Sequence, residues 1–101
     1  MKIEIRQIEH AEEKQIICRA ILEALPEWFG IPEAREEYIR ESADRLFFAA
    51  MDGEKPVGFL YVKETGRDTV ELYAMGVLKA RHRTGVGRAL VEAARRAARE
   101  A

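Results

Sequence analysis

The chain has 101 residues, enough for one domain with a thin core, and 48% hydrophobic with 35% charged residues is the balance of a folded protein. A formal net charge of −1 argues against a dedicated nucleic-acid binder, and the apolar runs are too short to span a membrane. Its one cysteine, Cys18, excludes an internal disulfide, and the chain reads as cytoplasmic.

Met1-Lys2-Ile3-Glu4-Ile5-Arg6 alternates apolar and charged residues, lacks a signal-peptide core and predicts a short strand over residues 2–7. Glu12 to Leu25 reads as a helix. Cys18, Ile21, Leu22 and Leu25 fall at i, i+3, i+4 and i+7 on one stripe, and Glu12 and Glu13 suit the positive end of the helix dipole. Pro26 stops it, because the residue before a proline is pushed out of helical geometry. A loop with two large aromatics, Trp28 and Phe29, leads to Pro32, which opens a second helix to about Ser42. Leu46 to Met51 is an apolar run of strand length, closed by the turn signal Asp52-Gly53. Pro56 to Lys63 is the next strand, Thr65-Gly66-Arg67-Asp68 the next turn, and Thr69 to Val77 the strand after it. Three strands on short turns predict an antiparallel meander. Residues 78–84 form a loop, and Gly85 to Ala101 is a helix with Leu90, Ala94, Ala97, Ala98 and Ala101 on one face. The order β-α-α-β-β-β-α defines a single α+β domain over residues 1–101, a mostly antiparallel sheet flanked by helices.

The chemistry concentrates between Val77 and Leu90, where a strand ends, a basic loop follows and a helix starts at once. Gly85 and Gly87 let a ligand approach the backbone without meeting a Cβ, and the first amides of a helix have no intrahelical partner. Arg81, Arg83 and Arg88 add charge and Thr84 adds a hydroxyl donor, so the turn suits a pyrophosphate. The P-loop string does not occur in the sequence. A dinucleotide fingerprint needs a third glycine where Leu90 stands, and an acidic residue about twenty positions further on, past the last residue.

Leu72 to Glu100 resembles the central motif of the GNAT superfamily of N-acetyltransferases: a strand ending Met75-Gly76-Val77, a short loop, then His82-Arg83-Thr84-Gly85-Val86-Gly87 and a helix. The element order matches that fold through its third helix, and Gly58-Phe59 on the middle strand is a familiar pairing there. The resemblance implies acetyl-CoA as cosubstrate. Met75 and Val77 would present backbone groups to its pantetheine arm. The turn that His82 opens would hold the pyrophosphate on the amides of Arg83, Thr84, Gly85, Val86, Gly87 and Arg88. Two departures stand out: His82 replaces the usual Gln or Arg, and Lys79 replaces a frequent proline, but neither removes a backbone amide. Family members usually continue with another strand, a helix and two more strands, carrying one wall of the cofactor cleft and a tyrosine often used as the acid. The resemblance therefore predicts a domain truncated after its third helix, open to self-association or completion by the missing C-terminal half.

The implied reaction is direct acetyl transfer from acetyl-CoA to a primary amine of a small molecule or peptide. Glu71 is the candidate general base, on a strand face expected to carry Tyr73, Met75 and Val77 as well; the alternative is an exposed strand carboxylate. Trp28 and Phe29 are candidate walls of the acceptor site, or loop aromatics packed on the core. The acidic run Glu33, Glu36, Glu37 and Glu41 fits a cationic acceptor and equally a solvated helix face. Cys18 on the apolar stripe reads as a buried thiol, and His10 and His82 have no second ligand at metal spacing, so no metal is expected. Two other roles stay open: an inactive module that holds CoA, and a strand edge used for docking.

Overall fold

Four strands form one antiparallel sheet in the order β1-β2-β3-β4: β1 (Ile3–Ile8), β2 (Leu46–Asp52), β3 (Lys55–Glu64) and β4 (Val70–Val77). Helices α1 (Ala11–Glu23) and α2 (Pro32–Ser42) link β1 to β2, and α3 (Val86–Glu100) follows β4 after one 3-10 turn, Lys79–Arg81. These elements come from a computed structural model that describes residues 3–26, 30–64 and 70–100. The predicted order is the observed one, with ends displaced by one or two residues. Trp28, Phe29, the turn Thr65 to Asp68, Thr69 and Ala101 lie outside the described residues.

Each face of the sheet carries its own core. Phe47, Ala49, Met51, Phe59, Tyr61 and Ala74 meet Cys18, Ile21, Leu22 and Ile39 of α1 and α2. Phe48, Ala50, Leu60 and Val62 meet Val86, Leu90 and Ala94 of α3 on the other face. Burial on both faces explains why Leu46 to Met51 is apolar throughout and does not alternate. The α1 stripe is buried as its spacing predicts, with Cys18 fully enclosed and its thiol pushed up to about 12 by burial. Lys14 is the exception on that stripe. Its ammonium donates to the carbonyls of Arg45, at 2.7 Å, and Ala43, at 3.3 Å, at the negative end of α2.

Two irregularities shape β4. The β3–β4 register runs Tyr61↔Ala74 and then Val62↔Leu72, so Tyr73 is an extra residue, a β-bulge. Upstream of it, Lys63 pairs with Glu71. The second irregularity is Gly76, whose hydrogen faces α1: a Cβ there would lie 3.0 Å from Ile21 Cγ2 and 3.0 Å from Phe59 Cε1. Adding that carbon forces α1 off the sheet or Phe59 out of its stack. Gly76→Ala is accordingly expected to destabilise the domain by about 1–3 kcal/mol, the usual cost of overpacking a tight core. A urea melt checks it, and an unchanged midpoint would mean that α1 yields freely.

Candidate functional site

β4 is an edge strand, paired on its other side with no strand among the described residues. The Leu78 amide donates to the Val57 carbonyl at 2.9 Å, which makes Gly58↔Val77 a non-hydrogen-bonded pair of the antiparallel ladder. Alternation then makes Leu60↔Met75 another, so the N–H and C=O groups of both Met75 and Val77 point away from β3. These are the two residues from which backbone contacts were expected.

The turn that follows is braced from within. The Arg81 amide bonds the Leu78 carbonyl at 2.8 Å, and the His82 amide bonds that of Lys79 at 3.2 Å. Arg81's guanidinium pairs with Asp52 at the β2 end, and the Thr84 hydroxyl donates to the Arg81 carbonyl. The His82 ring lies with Nε2 2.7 Å from the Val77 carbonyl oxygen. Arg83 at φ 66° and Gly85 at φ 87° are both left-handed, the backbone habit from which anion-binding nests are built. For arginine that conformation costs about 1–2 kcal/mol, a strain typical of ligand clamps. The first helical bond of α3 runs from the Ala89 amide to the Gly85 carbonyl at 3.0 Å, so the amides of Val86, Gly87 and Arg88 precede the ladder.

The predicted site residues thus divide. Arg81 and Thr84, expected to face the anion, spend their side-chain donors on the protein itself. The Val86 side chain is buried against the sheet, leaving only its amide to offer. Arg83 and Arg88 are exposed on the turn. α1 and α2 carry acids in their first turns, Glu12, Glu13 and Glu33, but α3 carries none and places Arg88 there. A cation at that end opposes the helix dipole, an arrangement that an anion would relieve. The space also fits a ligand: a Cβ on Gly85 would meet nothing within 4 Å, and one on Gly87 only Met75 Cε at 4.0 Å.

One expectation about β4 fails. Glu71 and Tyr73 do not share a face with Met75 and Val77, because the bulge at Tyr73 shifts the alternation by one residue. Met75 pairs with Leu60 of the α3-side core, whereas Glu71 pairs with Lys63 on the face that α1 and α2 cover. The bulge brings Tyr73 under α2, stacked on Tyr61 at 5.5 Å and edge-on to Tyr38 at 6.2 Å. The Tyr73 hydroxyl donates to Glu41, which holds that carboxyl below its ordinary range, and Arg45 adds to the effect. The same bond raises the Tyr73 phenol. Arg45 lies 5.4 Å from the Tyr73 ring centre and 3.5 Å from Glu41. Beside this cluster a cavity of about 270 Å³ opens between Ala34, Glu37, Tyr38 and Tyr73. Sequence reasoning missed it, since its only signals were tyrosines on separate elements. Among the described residues no three His, Cys, Asp or Glu side chains gather as a metal site would need, and no helix is long and apolar enough to cross a membrane.

A profile of the acetyltransferase (GNAT) family matches residues 8–101. No curated protein sequence matches. Among solved structures, the chain is similar to the PaiA N-acetyltransferase of Thermoplasma acidophilum in complex with coenzyme A, with a TM-score of 0.74 and 21% identity over 99% of this chain and 74% of that one. An aminoglycoside 6'-N-acetyltransferase complexed with coenzyme A gives a TM-score of 0.75 and 20% identity, covering 96% of this chain and 56% of that one. AAC(6')-Iy, in complex with the bisubstrate analogue CoA-S-monomethyl-acetylneamine, gives a TM-score of 0.68 and 24% identity over 95% of this chain and 71% of that one.

The division between bracing and exposed arginines is measurable without any ligand. Arg81→Met strands the part-buried Asp52 and is expected to cost about 1 kcal/mol, a fall in melting temperature of roughly 4–8 °C for a domain of this size. Arg88→Met removes a cation from the wrong end of a helix and is expected to leave the melting temperature unchanged or slightly raised. Equal losses in the two thermal melts would erase the distinction.

Proposed function

Since the chain belongs to the GNAT acetyltransferase family, we propose that it takes acetyl-CoA as cosubstrate and carries the acetyl group to a primary amine. The observation that carries this reading is a single line of backbone: outward polar groups at Met75 and Val77, then the amides of Arg83 to Arg88. An amide-bearing arm joined to a pyrophosphate matches that order. In this reading His82 opens the turn, Met75 and Val77 bond the arm, and Arg83, Thr84, Gly85, Val86, Gly87 and Arg88 offer amides to the phosphates, with Arg83 and Arg88 adding charge.

The cosubstrate supplies a thioester whose carbonyl carbon is open to a deprotonated amine. An outward amide of β4 near Val77 polarises that carbonyl oxygen and takes up the negative charge that grows on it. Glu71 lies six residues back along β4 on the α2 side, so in this reading it takes the amine's proton through intervening water as nitrogen bonds carbon, and the sulfur leaves as a thiolate that is protonated from solvent. No side chain need form a covalent intermediate. The cavity under α2, walled by Tyr38 and Tyr73 with Glu37 at its edge, supports a cationic acceptor. The similarity to an aminoglycoside 6'-N-acetyltransferase, named for a substrate that carries several amines, supports the same class. The open β4 edge favours a second reading, a chain that holds coenzyme A on one wall without turning over.

Incubation with acetyl-CoA and a panel of amines, read by release of free thiol, tests the reaction. The buried Cys18 gives no background in that assay. Acetylation of a polyamine or aminoglycoside is the expected result; binding without acetylation of any amine selects the second reading. Variants at two positions bear on the residues. Gly85→Glu puts a carboxylate beside the amides at a left-handed position that also strains any side chain by about 1–2 kcal/mol. It is expected to abolish coenzyme A binding in a calorimetric titration while the chain stays folded, whereas Gly85→Ala, with the strain but no charge, is expected to weaken binding less. Glu71→Gln is expected to lower kcat/KM and to flatten its dependence on pH, with coenzyme A affinity unchanged. A profile identical to the parent's would remove Glu71 from the mechanism.

A further inference from the structure

The His82 ring sits at a junction. Its Nε2 is 2.7 Å from the carbonyl oxygen of Val77, five residues back. A carbonyl only accepts, so the ring donates from Nε2. That carbonyl is one of the outward groups on the open edge of β4, and it keeps a second lone pair for another donor. We infer that His82 is a positioning residue, tying the phosphate turn to the strand-edge carbonyl so that a ligand spanning both finds them at a fixed separation. The inference rests on the coenzyme A reading above and adds to it a role for this side chain.

The other braces do not perform this task. Thr84 on the Arg81 carbonyl and the bonds within the 3-10 turn fix the shape of the turn. Arg81 with Asp52 ties the turn to the far end of β2, and Leu78 with Val57 ties the start of the loop to β3. His82 reaches the outward side of β4 itself, the side on which an arm would lie. It stands next to Arg83, the residue with the strained backbone, so a loose ring leaves that bend less defined relative to the strand. A glutamine at this position also carries an amide donor on a side chain of comparable reach, whereas alanine carries none.

The consequence separates ligands by length. Adenosine diphosphate has the pyrophosphate without the arm, so it samples only the shape of the turn. Coenzyme A has both, so it samples the separation. Calorimetric titration of the 101-residue chain with each compound is the test, in the parent, His82→Ala and His82→Gln. Coenzyme A is expected to bind about fivefold more weakly to His82→Ala, the equivalent of one neutral hydrogen bond. Adenosine diphosphate affinity should stay within about twofold of the parent's, a difference too small to represent one bond. His82→Gln should recover the coenzyme A affinity. Equal weakening of both compounds would make His82 a determinant of turn shape alone and overturn the inference. So would unchanged coenzyme A affinity in His82→Ala, or a failure of His82→Gln to recover it. A parent chain that binds neither compound would overturn the cofactor reading and this inference together.

Discussion

Two glycines on adjacent strands set the geometry on which the rest depends. Gly58 and Gly76 sit at neighbouring levels of β3 and β4, paired with Val77 and Phe59. A Cβ on Gly58 would lie 3.2 Å from the Gly76 carbonyl oxygen and 3.3 Å from Val86 Cγ1, at the start of α3. A Cβ on Gly76 would strike Ile21 of α1 from the other face. One helix therefore closes on each side of the sheet at the level where β4 ends. Because both approaches are tight, α3 begins at a fixed place above the end of β4, and the turn between them has little freedom in where it runs.

Given that fixed span, the turn divides its work between side chains and backbone. Of the side chains that the sequence aims at a phosphate, Arg81, Thr84, Arg83 and Arg88, the first two bond the protein, as does the neighbouring His82 ring. What remains toward solvent is a set of amides and two exposed arginines, Arg83 and Arg88. Backbone amides held this way make a fixed field, and they gain from rigidity in a way that long side chains do not. An arginine that must be ordered on each binding event gives up rotamer entropy each time, whereas a braced amide has given it up on folding. The strained φ at Arg83 belongs to the same arrangement, since strain persists only where surrounding bonds over-determine the chain.

Most of the fold was legible in the sequence because it rests on local signals. The α1 stripe, Pro32 at the start of α2, the Asp52-Gly53 turn and the uniformly apolar β2 each state their element through spacing or backbone restriction. The glycine turn was legible for the same reason. What escaped depends on contacts between distant segments. Nothing in Glu71-Leu72-Tyr73-Ala74 announces a bulge, because the extra residue is set by how β4 registers on β3 rather than by its own propensity. The faces of β4 were consequently misjudged. Lys14 shows the same limit, as a lysine on an apolar stripe makes sense only once the end of α2 is seen to offer it carbonyls.

The bulge also bears on how two substrates could meet on one strand. With regular alternation, Glu71, Tyr73, Met75 and Val77 would crowd a single face, and acceptor and cosubstrate would compete for it. The extra residue divides these side chains between the two faces. Downstream of it, Met75 and Val77 turn their side chains to the α3 face and their backbone polar groups to the open edge. At and before it, Tyr73 and Glu71 turn to the α2 face, where Tyr38, Glu37 and Glu41 are found. In the proposed reaction an acetyl group held by β4 amides would lie at the edge, in the plane of the sheet, and an amine drawn in under α2 would reach it from one side of that plane. Attack on a thioester carbonyl comes from above or below the plane of its own three substituents. A carbonyl whose oxygen is bonded in the plane of the sheet can present one of its faces to the α2 side, so in the proposed reaction the bulge would give the two substrates different sides of a shared edge.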